Sequence, residues 1–588
     1  MCGIAGFFMT QGREANSSTA AALAEALVHR GPDGEGVWLK GAMGLVHRRL
    51  SIIDVEGGRQ PLFANNGAIA GVMNGEIYNY KKLQGLVTDA GATLATGSDS
   101  EPMFHRYVQV GIDAALDELE GMFALCVADP SRGVMELATD RFGIKPLYYA
   151  ETSVGFAFAS EPRALVRSGW VRAEVNDNVI GGILNRHYST GTETLFKNVY
   201  RLLPGEHITV KDGKIVARNR RLPGLAPVHP VEGDVVKEFG QRLTDAVGRH
   251  LVADVPFGLL LSGGLDSSAI LCAMRDLGAP IVAYTAKIEV AGGVNEADAA
   301  SALAKKVGAT HITVPYTEAD FWPALVDMAW AMDDLTTDYA AMPLLKLTKR
   351  AKQDVKILLS GEGGDEMLAG YSKYRKARGL LWHWRARRSG DATPHKSLFA
   401  ERGLIKLPPV AAQAWDTSGF TTLQQRQSED VAGWLCSDLL LKLDRTTMIN
   451  GIEGRVPFLD DQFSSYAFGL PDEWKVKDNY GKYILRAHLE TKGHGEMAWA
   501  RKQGFSVAVG YFLKQKPQLV KALLLRSETV KRLLVPGAEA KLMGGLDHAK
   551  TANLAFSLVL LALWELMHVQ GLSKDELLGE MVSVKLAN

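Results

Sequence analysis

The chain changes its hydrophobic pattern after about 210 residues, and this change constrains the fold more than any other feature of the sequence. Before it, short apolar runs such as GIAGFFM, GMFALCVADP and VGFAFAS lie between Gly, Asn, Asp and Pro turns. Helical patterns interrupt these runs at residues 18–28 and 101–110. Strands and helices in separate runs predict an antiparallel α+β layered domain.

A segment rich in Arg and Pro without an apolar period, residues 217–233, follows this region. It predicts a linker within residues 211–234 and a first domain at 2–210. Beyond it come a helical pattern at 235–253, a strand at 258–261, a helix at 268–277 and a strand at 281–286. This alternation predicts an α/β second domain with a parallel sheet, at 235–588, in which helices dominate from about residue 321.

Composition excludes several classes of protein. Lys plus Arg equals Asp plus Glu at 66 each, which argues against a nucleic-acid partner and an anionic membrane surface. The four cysteines, Cys2, Cys126, Cys272 and Cys436, contain no C-x-x-C pair, and this pattern fits a cytoplasmic protein. We find no signal peptide, and the most apolar stretch, 554–567, is too short to span a bilayer and carries Glu565. It predicts a buried core helix.

The chain begins MCGI, so that Cys2 becomes the first residue once Met1 is removed. One residue then carries a thiol and a free α-amine, whose pKa near ~8 lies far below that of a lysine. The amine can take the proton of the thiol without a separate histidine. The alternative is that Cys2 is an ordinary small buried apolar residue.

Three further motifs of the first domain are RRLSI around Arg49, NGEIYN at 74–79 and GSDSE at 97–101. Taken alone, NG is a common hairpin turn, and surface Arg and Asp are mostly solvated. Together with MCGI, with HRGPDG at 29–34 and with DRFGIKPLYY at 140–149, they resemble the class II glutamine amidotransferase domain over residues 2–207. This domain is an N-terminal-nucleophile hydrolase, so the resemblance implies an αββα sandwich with Cys2 as the nucleophile.

Hydrolysis of the glutamine amide requires specific partners around the substrate. The tetrahedral oxyanion needs preset donors, which the Asn74 amide and the Gly75 N–H can supply. The α-carboxylate of glutamine suits a bidentate cation such as Arg49. Its α-ammonium suits the carboxylates of Glu76 and Asp99.

The second domain carries SGGLDSS at 262–268, between a predicted strand and a predicted helix. The loop matches neither G-x-x-x-x-G-K-[ST] nor G-x-G-x-x-G, and alone it could be an ordinary tight turn. It resembles the pyrophosphate loop of the N-type ATP pyrophosphatases. The resemblance implies ATP or pyrophosphate contacts at the following positions: Leu260, Ser262, Gly263, Gly264, Asp266, Ser267, Ser268, Ala286, Ser360 and Gly361.

The acidic loop SGEGGDE at 360–366 supplies a second carboxylate. Since Mg²⁺ is usually held by one or two carboxylates plus phosphate oxygens, Asp266 and Asp365 are the expected ligands. The resemblance also implies that Lys502 stabilises charge on the phosphates and that Glu362 acts as a base toward ammonia. We interpret Glu453 and Arg455 as a structural ion pair in preference to catalytic residues.

The whole chain resembles the glutamine-hydrolysing asparagine synthetases of the bacterial B type, over roughly residues 2–570. The resemblance implies the substrates glutamine, aspartate and ATP, a β-aspartyl-AMP intermediate, an internal apolar channel for ammonia, and a homodimer. The segment MDDLTTD at 332–338 departs from the Asp-Glu-Pro of many relatives where the acceptor should bind. The alternative is therefore an amidotransferase that acts on another carboxylate, such as a peptide or cell-envelope precursor.

Overall fold

The computed structural model describes residues 2–290, 296–376, 396–401, 403–406, 415–500 and 507–583. The strands of the first domain are β1 (Gly3–Met9), β2 (Gly34–Lys40), β3 (Met43–Arg49), β4 (Leu62–Ala64), β5 (Ile69–Ile77), β6 (Gly121–Asp129), β7 (Val134–Thr139), β8 (Tyr148–Glu151), β9 (Gly155–Ala159), β10 (Tyr200–Arg201), β11 (Glu206–Lys211) and β12 (Lys214–Arg220). They form two antiparallel sheets, with strand orders β10-β8-β9-β1-β3-β2 and β12-β11-β7-β6-β5-β4.

The two sheets pack face to face, and helices cover their outer faces. Ile4 and Leu45 of one sheet share a core with Val72 and Leu137 of the other. The helices are α1 (Ser17–Ala26), α2 (Tyr80–Asp89), α3 (Glu101–Asp117), α4 (Pro162–Arg167) and α5 (Asp177–Arg186). Helices α1 and α4 contact the first sheet, and α2 and α3 pack on the second. The predicted layered α+β domain is confirmed.

The structure differs from the sequence prediction at the expected linker. Residues 214–220 form β12, which pairs with β11 at the edge of the second sheet. The strand is largely exposed, so its sequence KIVARNR lacks the apolar alternation that would identify it. Residues 221–233 contain no helix or strand and lead into α6 (Val235–His250).

The second domain is built on the strands β13 (Phe257–Leu260), β14 (Val282–Glu289), β15 (Thr310–Thr317), β16 (Ile357–Leu359) and β17 (Glu453–Arg455), and a small hairpin joins β18 (Val476–Lys477) to β19 (Tyr480–Gly481). The first five strands form a parallel sheet of order β15-β14-β13-β16-β17. The prediction of a parallel sheet is confirmed. Helix α7 (Leu265–Asp276) begins three residues earlier than predicted, directly after the Gly-rich loop.

Helices make up most of the remaining described chain. They are α8 (Ala297–Val307), α9 (Phe321–Ala331), α10 (Ala341–Ala351), α11 (Gly364–Met367), α12 (Ser372–Lys376), α13 (Thr422–Asp430), a π-helical segment (Val431–Leu439), α14 (Leu440–Met448), α15 (Asp461–Gly469), α16 (Asp472–Lys475), α17 (Tyr483–Thr491), α18 (Gly495–Trp499), α19 (Val509–Gln515), α20 (Pro517–Arg526), α21 (Glu528–Leu533), α22 (Ala538–Gly544), α23 (Ala549–His568) and α24 (Lys574–Ser583), with short 3₁₀ turns at Glu318–Asp320, Lys396–Leu398 and Pro457–Leu459.

Helix α23 contains the most apolar stretch of the sequence. Within the described residues it alone is long and apolar enough to cross a membrane, and 94% of its most apolar window is buried inside the protein. Its Glu565 accepts hydrogen bonds from Ser527 Oγ and from the backbone N–H of Thr529. The predicted buried core helix is confirmed.

The two domains share a continuous apolar core. Leu50, Ile52 and Met122 of the first domain belong to the same buried cluster as Leu259 and Val456 of the second. Polar contacts reinforce this interface, because Lys356 forms an ion pair with Asp33 at 2.6 Å and Lys145 Nζ donates to the carbonyl oxygen of Gly454 at 3.1 Å. The C-terminal end of β3 and the start of β6 therefore face the second domain.

Candidate active sites

Cys2 directly precedes β1 of the first sheet and contacts β5 of the second sheet. Its backbone nitrogen donates to Oδ1 of Asn74 at 2.9 Å, and its thiol donates to the carbonyl oxygen of Leu50 at 3.8 Å. Burial raises the pKa of the Cys2 thiol. Because the thiolate is the nucleophile, a nearby base is needed to ionise this thiol.

Asn74 is fully buried on β5, and its Nδ2 has no hydrogen-bond partner among the described residues. A buried amide donor without a partner is costly, and such exceptions are a sign of function. Since Oδ1 is occupied by Cys2, Nδ2 is the donor left for a substrate oxygen. The structure therefore brings together the predicted nucleophile and the predicted oxyanion donor.

Gly75 follows Asn74 where β5 pairs with β6. A Cβ atom at this position would lie 2.0 Å from the carbonyl oxygen of Met122, so that no other residue fits without movement of β6. The glycine thus keeps the backbone of the predicted oxyanion site close to its neighbouring strand.

Arg49 ends β3, beside Cys2. The register pairs Gly3 with Arg48, which puts Arg49 at the same end of the sheet as Cys2. Its guanidinium donates to the carbonyl oxygens of Val55 at 2.8 Å and Asp54 at 2.6 Å. These bonds fix the orientation of the cation at the predicted carboxylate subsite.

Glu76 and Asp99 are both buried and lie near each other. Asp99 accepts a hydrogen bond from the backbone N–H of Ile77 at 2.8 Å. Burial raises the pKa of Asp99 to about 6, and burial together with Asp99 and Glu453 raises the pKa of Glu76 well above its ordinary value. A bound cation would stabilise the ionised form of both carboxyls.

The Gly-rich loop of the second domain joins the C-terminal end of β13 to α7. Gly263 adopts φ +72°, and Ser268 Oγ donates to the carbonyl oxygen of Gly264 at 2.7 Å. Ser262 N–H donates to Ser267 Oγ at 3.2 Å, so the serines bond within the loop. The loop therefore presents the N-terminus of α7, a place that favours anions.

The other predicted nucleotide contacts lie at the same edge of the parallel sheet. Leu260 ends β13, Ala286 lies on the adjacent β14, and Ser360 and Gly361 directly follow the adjacent β16. Ligands of open α/β sheets bind beyond the carboxyl ends of the strands. The structure thus brings these residues to one crevice.

Asp266 and Asp365 meet in this crevice. A Cβ atom on Gly361 would lie 2.8 Å from Asp266, and one on Gly364 would lie 2.5 Å from it. The acidic loop 360–366 therefore packs closely on the Gly-rich loop 262–268. The ammonium of Lys482 lies 2.5 Å from Asp266 Oδ2 and 2.7 Å from Asp365 Oδ1. Burial lowers the pKa of Lys482, but Asp266 and Asp365 outweigh it and raise that pKa above its ordinary value.

The donor set fits magnesium in combination with phosphate. No group of three or more His, Cys, Asp or Glu residues able to hold a metal ion occurs in the part of the chain that the structure describes. Two carboxylates on the same ammonium are nevertheless close enough to share one small cation, and Mg²⁺ takes its other ligands from phosphate and water.

Glu362 lies beside Lys442 of α14, with 3.9 Å between Oε1 and Nζ. Lys442 also pairs with Asp338 at 2.7 Å. Burial raises the pKa of Glu362, although Lys442 opposes the shift. Lys502, the other predicted catalytic residue of this domain, falls outside the described residues.

The segment expected at the acceptor site divides into two parts. Asp333 is fully buried and accepts a hydrogen bond from the backbone N–H of Arg163 at 3.1 Å and one from Arg445 Nε at 2.9 Å, and Asp334 accepts one from Arg201 Nη2 at 2.6 Å. These two carboxylates therefore stabilise the interface between the domains. Asp338 instead pairs with Lys442, and its negative charge helps to raise the pKa of Glu362.

Glu453 and Arg455 lie on β17 between the two predicted sites. Arg455 Nε donates to Glu453 Oε1 at 2.5 Å, and both residues are fully buried. Arg455 Nη2 is 3.5 Å from Glu76 Oε2, and the carbonyl oxygen of Arg455 accepts from Ser360 N–H at 2.8 Å. This ion pair thus connects Glu76 of the first domain to the acidic loop 360–366 of the second.

Sequence reasoning did not identify two charged groups of these sites. Arg30 donates to Cys2 O at 3.2 Å and forms two bonds to Asp444, at 2.8 and 3.0 Å. Lys482 bridges Asp266 and Asp365. Arg30 lies within the HRGPDG motif, which indicated that this segment matters but not that Arg30 pairs with Asp444. No local pattern of the sequence marks Lys482.

The fold and these sites define a class of protein: a glutamine amidotransferase domain joined to a nucleotide-binding α/β domain. The family model described as "Glutamine amidotransferase domain" matches residues 1–220, and "Asparagine synthase" matches residues 238–568. The chain belongs to the asparagine synthase family.

Similar proteins cover almost the whole chain. Asparagine synthetase [glutamine-hydrolyzing] 1 of Bacillus subtilis is 31% identical over 548 residues, which are 86% of each chain. Asparagine synthetase B [glutamine-hydrolyzing] of Escherichia coli is 29% identical and covers 87% of this chain and 83% of its own. Among solved structures, the "allosteric regulatory enzyme of purine biosynthesis" aligns at 17% identity and a TM-score of 0.30, over 54% of this chain and 80% of its own.

Proposed function

We propose that the chain catalyses glutamine-dependent asparagine synthesis. ATP, aspartate, glutamine and water give AMP, diphosphate, asparagine and glutamate. The observation that carries the proposal is the contact of Arg455 with both Glu76 and Ser360, because it joins an amide-hydrolysing site to a nucleotide crevice within one buried interface. The family of the chain supports the same reaction.

In the first half-reaction Cys2 attacks the side-chain amide of glutamine. After removal of Met1, the α-amine of Cys2 takes the proton of the thiol and then gives it to the departing ammonia. Asn74 Nδ2 and Gly75 N–H stabilise the tetrahedral oxyanion. Arg49 binds the α-carboxylate, and Glu76 and Asp99 bind the α-ammonium. Water then hydrolyses the thioester to release glutamate.

In the second half-reaction the β-carboxylate of aspartate attacks the α-phosphorus of ATP and diphosphate leaves. The loop 262–268 and the residues Leu260, Ala286, Ser360 and Gly361 bind the nucleotide, with Asp266 and Asp365 as the magnesium ligands. Bound Mg²⁺ would neutralise charge on the phosphates. Ammonia attacks the acyl-adenylate, AMP leaves, and Glu362 accepts the proton, a role that its raised pKa favours. Lys502 keeps its predicted role at the phosphates.

Ammonia passes between the sites through the apolar part of the interface. Leu50, Ile52 and Met122 of the first domain belong to the cluster that includes Val456 and Leu459 of the second. An apolar passage keeps ammonia unprotonated, which preserves its nucleophilicity. We further propose a cytoplasmic homodimer that needs neither nucleic acid nor membrane, in line with the balanced charge. Light scattering after gel filtration tests the dimer.

Product analysis tests the proposed function. Wild-type protein with ATP, aspartate and glutamine labelled with ¹⁵N at the amide should give labelled asparagine and one AMP per asparagine. A panel of other carboxylic acids in place of aspartate tests the acceptor. If free aspartate supports no glutamine-dependent AMP formation while another carboxylate does, the assignment to asparagine is wrong. The intact mass of the protein reports whether Met1 has been removed.

A further inference from the structure

We propose that Lys482 and magnesium compete for the same place between Asp266 and Asp365, so that nucleotide must displace the lysine before the metal ion binds. Lys482 is thus a positioning residue that makes metal binding depend on the nucleotide. The inference rests on the proposed magnesium site, and it adds a control of that site by a residue of the chain.

The distances make the two cations mutually exclusive. Lys482 Nζ lies 2.5 Å from Asp266 Oδ2 and 2.7 Å from Asp365 Oδ1. A magnesium ion bound to these oxygens would lie about 2.0–2.1 Å from each of them. An ammonium and a divalent cation that bridge the same two oxygens would lie within a few ångströms of each other, so charge repulsion strongly opposes the binding of both.

The backbone conformation at Lys482 directs its side chain toward the two carboxylates. Lys482 adopts φ +54° and ψ +38°, a left-handed conformation that is rare for a residue with a side chain. Its N–H donates to the carbonyl oxygen of Leu368 at 3.1 Å. Such local strain persists where the surrounding structure requires it, and it clusters at functional sites.

Gly370 provides independent evidence that the approach of Lys482 to Asp365 is tightly fitted. A Cβ atom at position 370 would lie 1.8 Å from Asp365 Oδ1 and 2.3 Å from Lys482 Cε. Gly481, the residue before Lys482, is also closely packed, because a Cβ atom there would lie 2.4 Å from the carbonyl oxygen of Ala369. Two glycines therefore leave the space in which the lysine meets the carboxylates.

Bound nucleotide would displace the Lys482 ammonium from the two carboxylates. Asp266 stands in the first turn of α7, so the lysine lies beside the helix N-terminus where the loop would hold phosphates. Polyphosphate offers the ammonium new anionic partners close by, and the side chain can turn toward them while its backbone stays fixed. The carboxylates are then available to the metal ion that arrives with the phosphates. Linkage requires each of the two ligands to strengthen binding of the other by the same factor.

Metal binding without nucleotide provides the direct test. We would titrate full-length protein with Mn²⁺ as the probe and measure free Mn²⁺ by electron paramagnetic resonance. Lys482→Met should bind Mn²⁺ about tenfold or more tightly than wild type, a typical size for such coupling. Lys482→Arg retains the charge and should bind as weakly as wild type. Equal affinities of wild type and Lys482→Met would overturn the inference.

Two controls separate this effect from unfolding. Lys482 directly precedes helix α17, and Lys492 directly follows it and pairs with Asp276 at 2.5 Å. Lys492→Met should therefore leave Mn²⁺ affinity unchanged. The melting temperature gives a second readout. Added Mg²⁺ without nucleotide should raise the melting temperature of Lys482→Met but not that of wild type, and equal shifts would count against the competition.

Asp266→Asn and Asp365→Asn distinguish failure of the inference from failure of the magnesium site. Both should weaken the Mn²⁺-dependent binding of α,β-methylene-ATP, an analogue that the enzyme cannot cleave between these phosphates. If they do so while Lys482→Met leaves the affinity for Mn²⁺ unchanged, the site stands and the competition is wrong. If neither variant alters this binding, the magnesium assignment fails and the competition fails with it.

Discussion

Arg455 Nη2 lies 3.5 Å from Glu76 Oε2, across the boundary between the two domains. The same arginine forms an ion pair with Glu453, and its backbone carbonyl accepts from Ser360 N–H. A residue of the nucleotide-binding domain therefore supplies a cation to the proposed glutamine site. Any shift of β17 or of the adjoining 360–366 loop alters the charge next to Glu76.

Arg455→Met tests the importance of this cation for folding. Removal of one partner leaves the carboxylate of Glu453 buried without its guanidinium, which costs about 3–5 kcal/mol. We expect a clearly lower melting temperature in differential scanning calorimetry. The double variant Glu453→Gln/Arg455→Met should recover much of the loss. A double variant no more stable than Arg455→Met would show that the pair is not the cause.

Cys2→Ala should abolish glutamine-dependent asparagine formation and leave ammonia-dependent formation within about twofold of wild type, because its thiol is used only in the first half-reaction. Steady-state assays with glutamine and with ammonium chloride check both. Cys436→Ala, the matched cysteine variant, should retain both activities. Glutamine use by Cys2→Ala would refute the assignment of the nucleophile.

Asn74→Ala should lower kcat for glutamine hydrolysis by about 10²–10³-fold, the usual cost of one oxyanion donor. KM for glutamine should change much less, since the donor acts on the transition state. Asn79→Ala is the matched control, because Asn79 also donates its amide, but to the carbonyl oxygen of Glu118. A large rise in KM with unchanged kcat would instead assign Asn74 to ground-state binding.

Glutamine hydrolysis should depend on pH through Asp99. Burial raises the pKa of this carboxyl to about 6, so its ionised fraction falls as pH drops below that value. Protonation of the Cys2 α-amine, whose pKa lies near ~8, already lowers kcat/KM toward acid pH. If ionised Asp99 binds the α-ammonium of glutamine, this fall should steepen by about a further tenfold per pH unit below pH 6. Rates measured between pH 5 and 8 check this, with circular dichroism to establish that the protein remains folded. A profile whose slope stays the same below pH 6 would remove Asp99 from the binding site.

The local patterns of the sequence predicted the elements that position both sites. MCGI, NGEIYN and SGGLDSS each combine a strand or helix end with the residue types that the chemistry needs, and these are properties of a few adjacent residues. The strand before the loop 262–268 and the parallel sheet also followed from apolar periodicity. The edge strand β12 was not predicted because it is exposed, and exposure removes the apolar signal.

The sequence by itself determined which residues could carry the chemistry, and the tertiary structure decided which charges meet. Lys482 reaches Asp266 across 216 positions of the chain, and Arg30 reaches Asp444 across 414. No local pattern records such partners, because a lysine or arginine has the same propensity whether its carboxylate lies nearby or in another domain. Burial makes these ion pairs important for stability, since a charge that is removed from water without a counter-charge costs free energy.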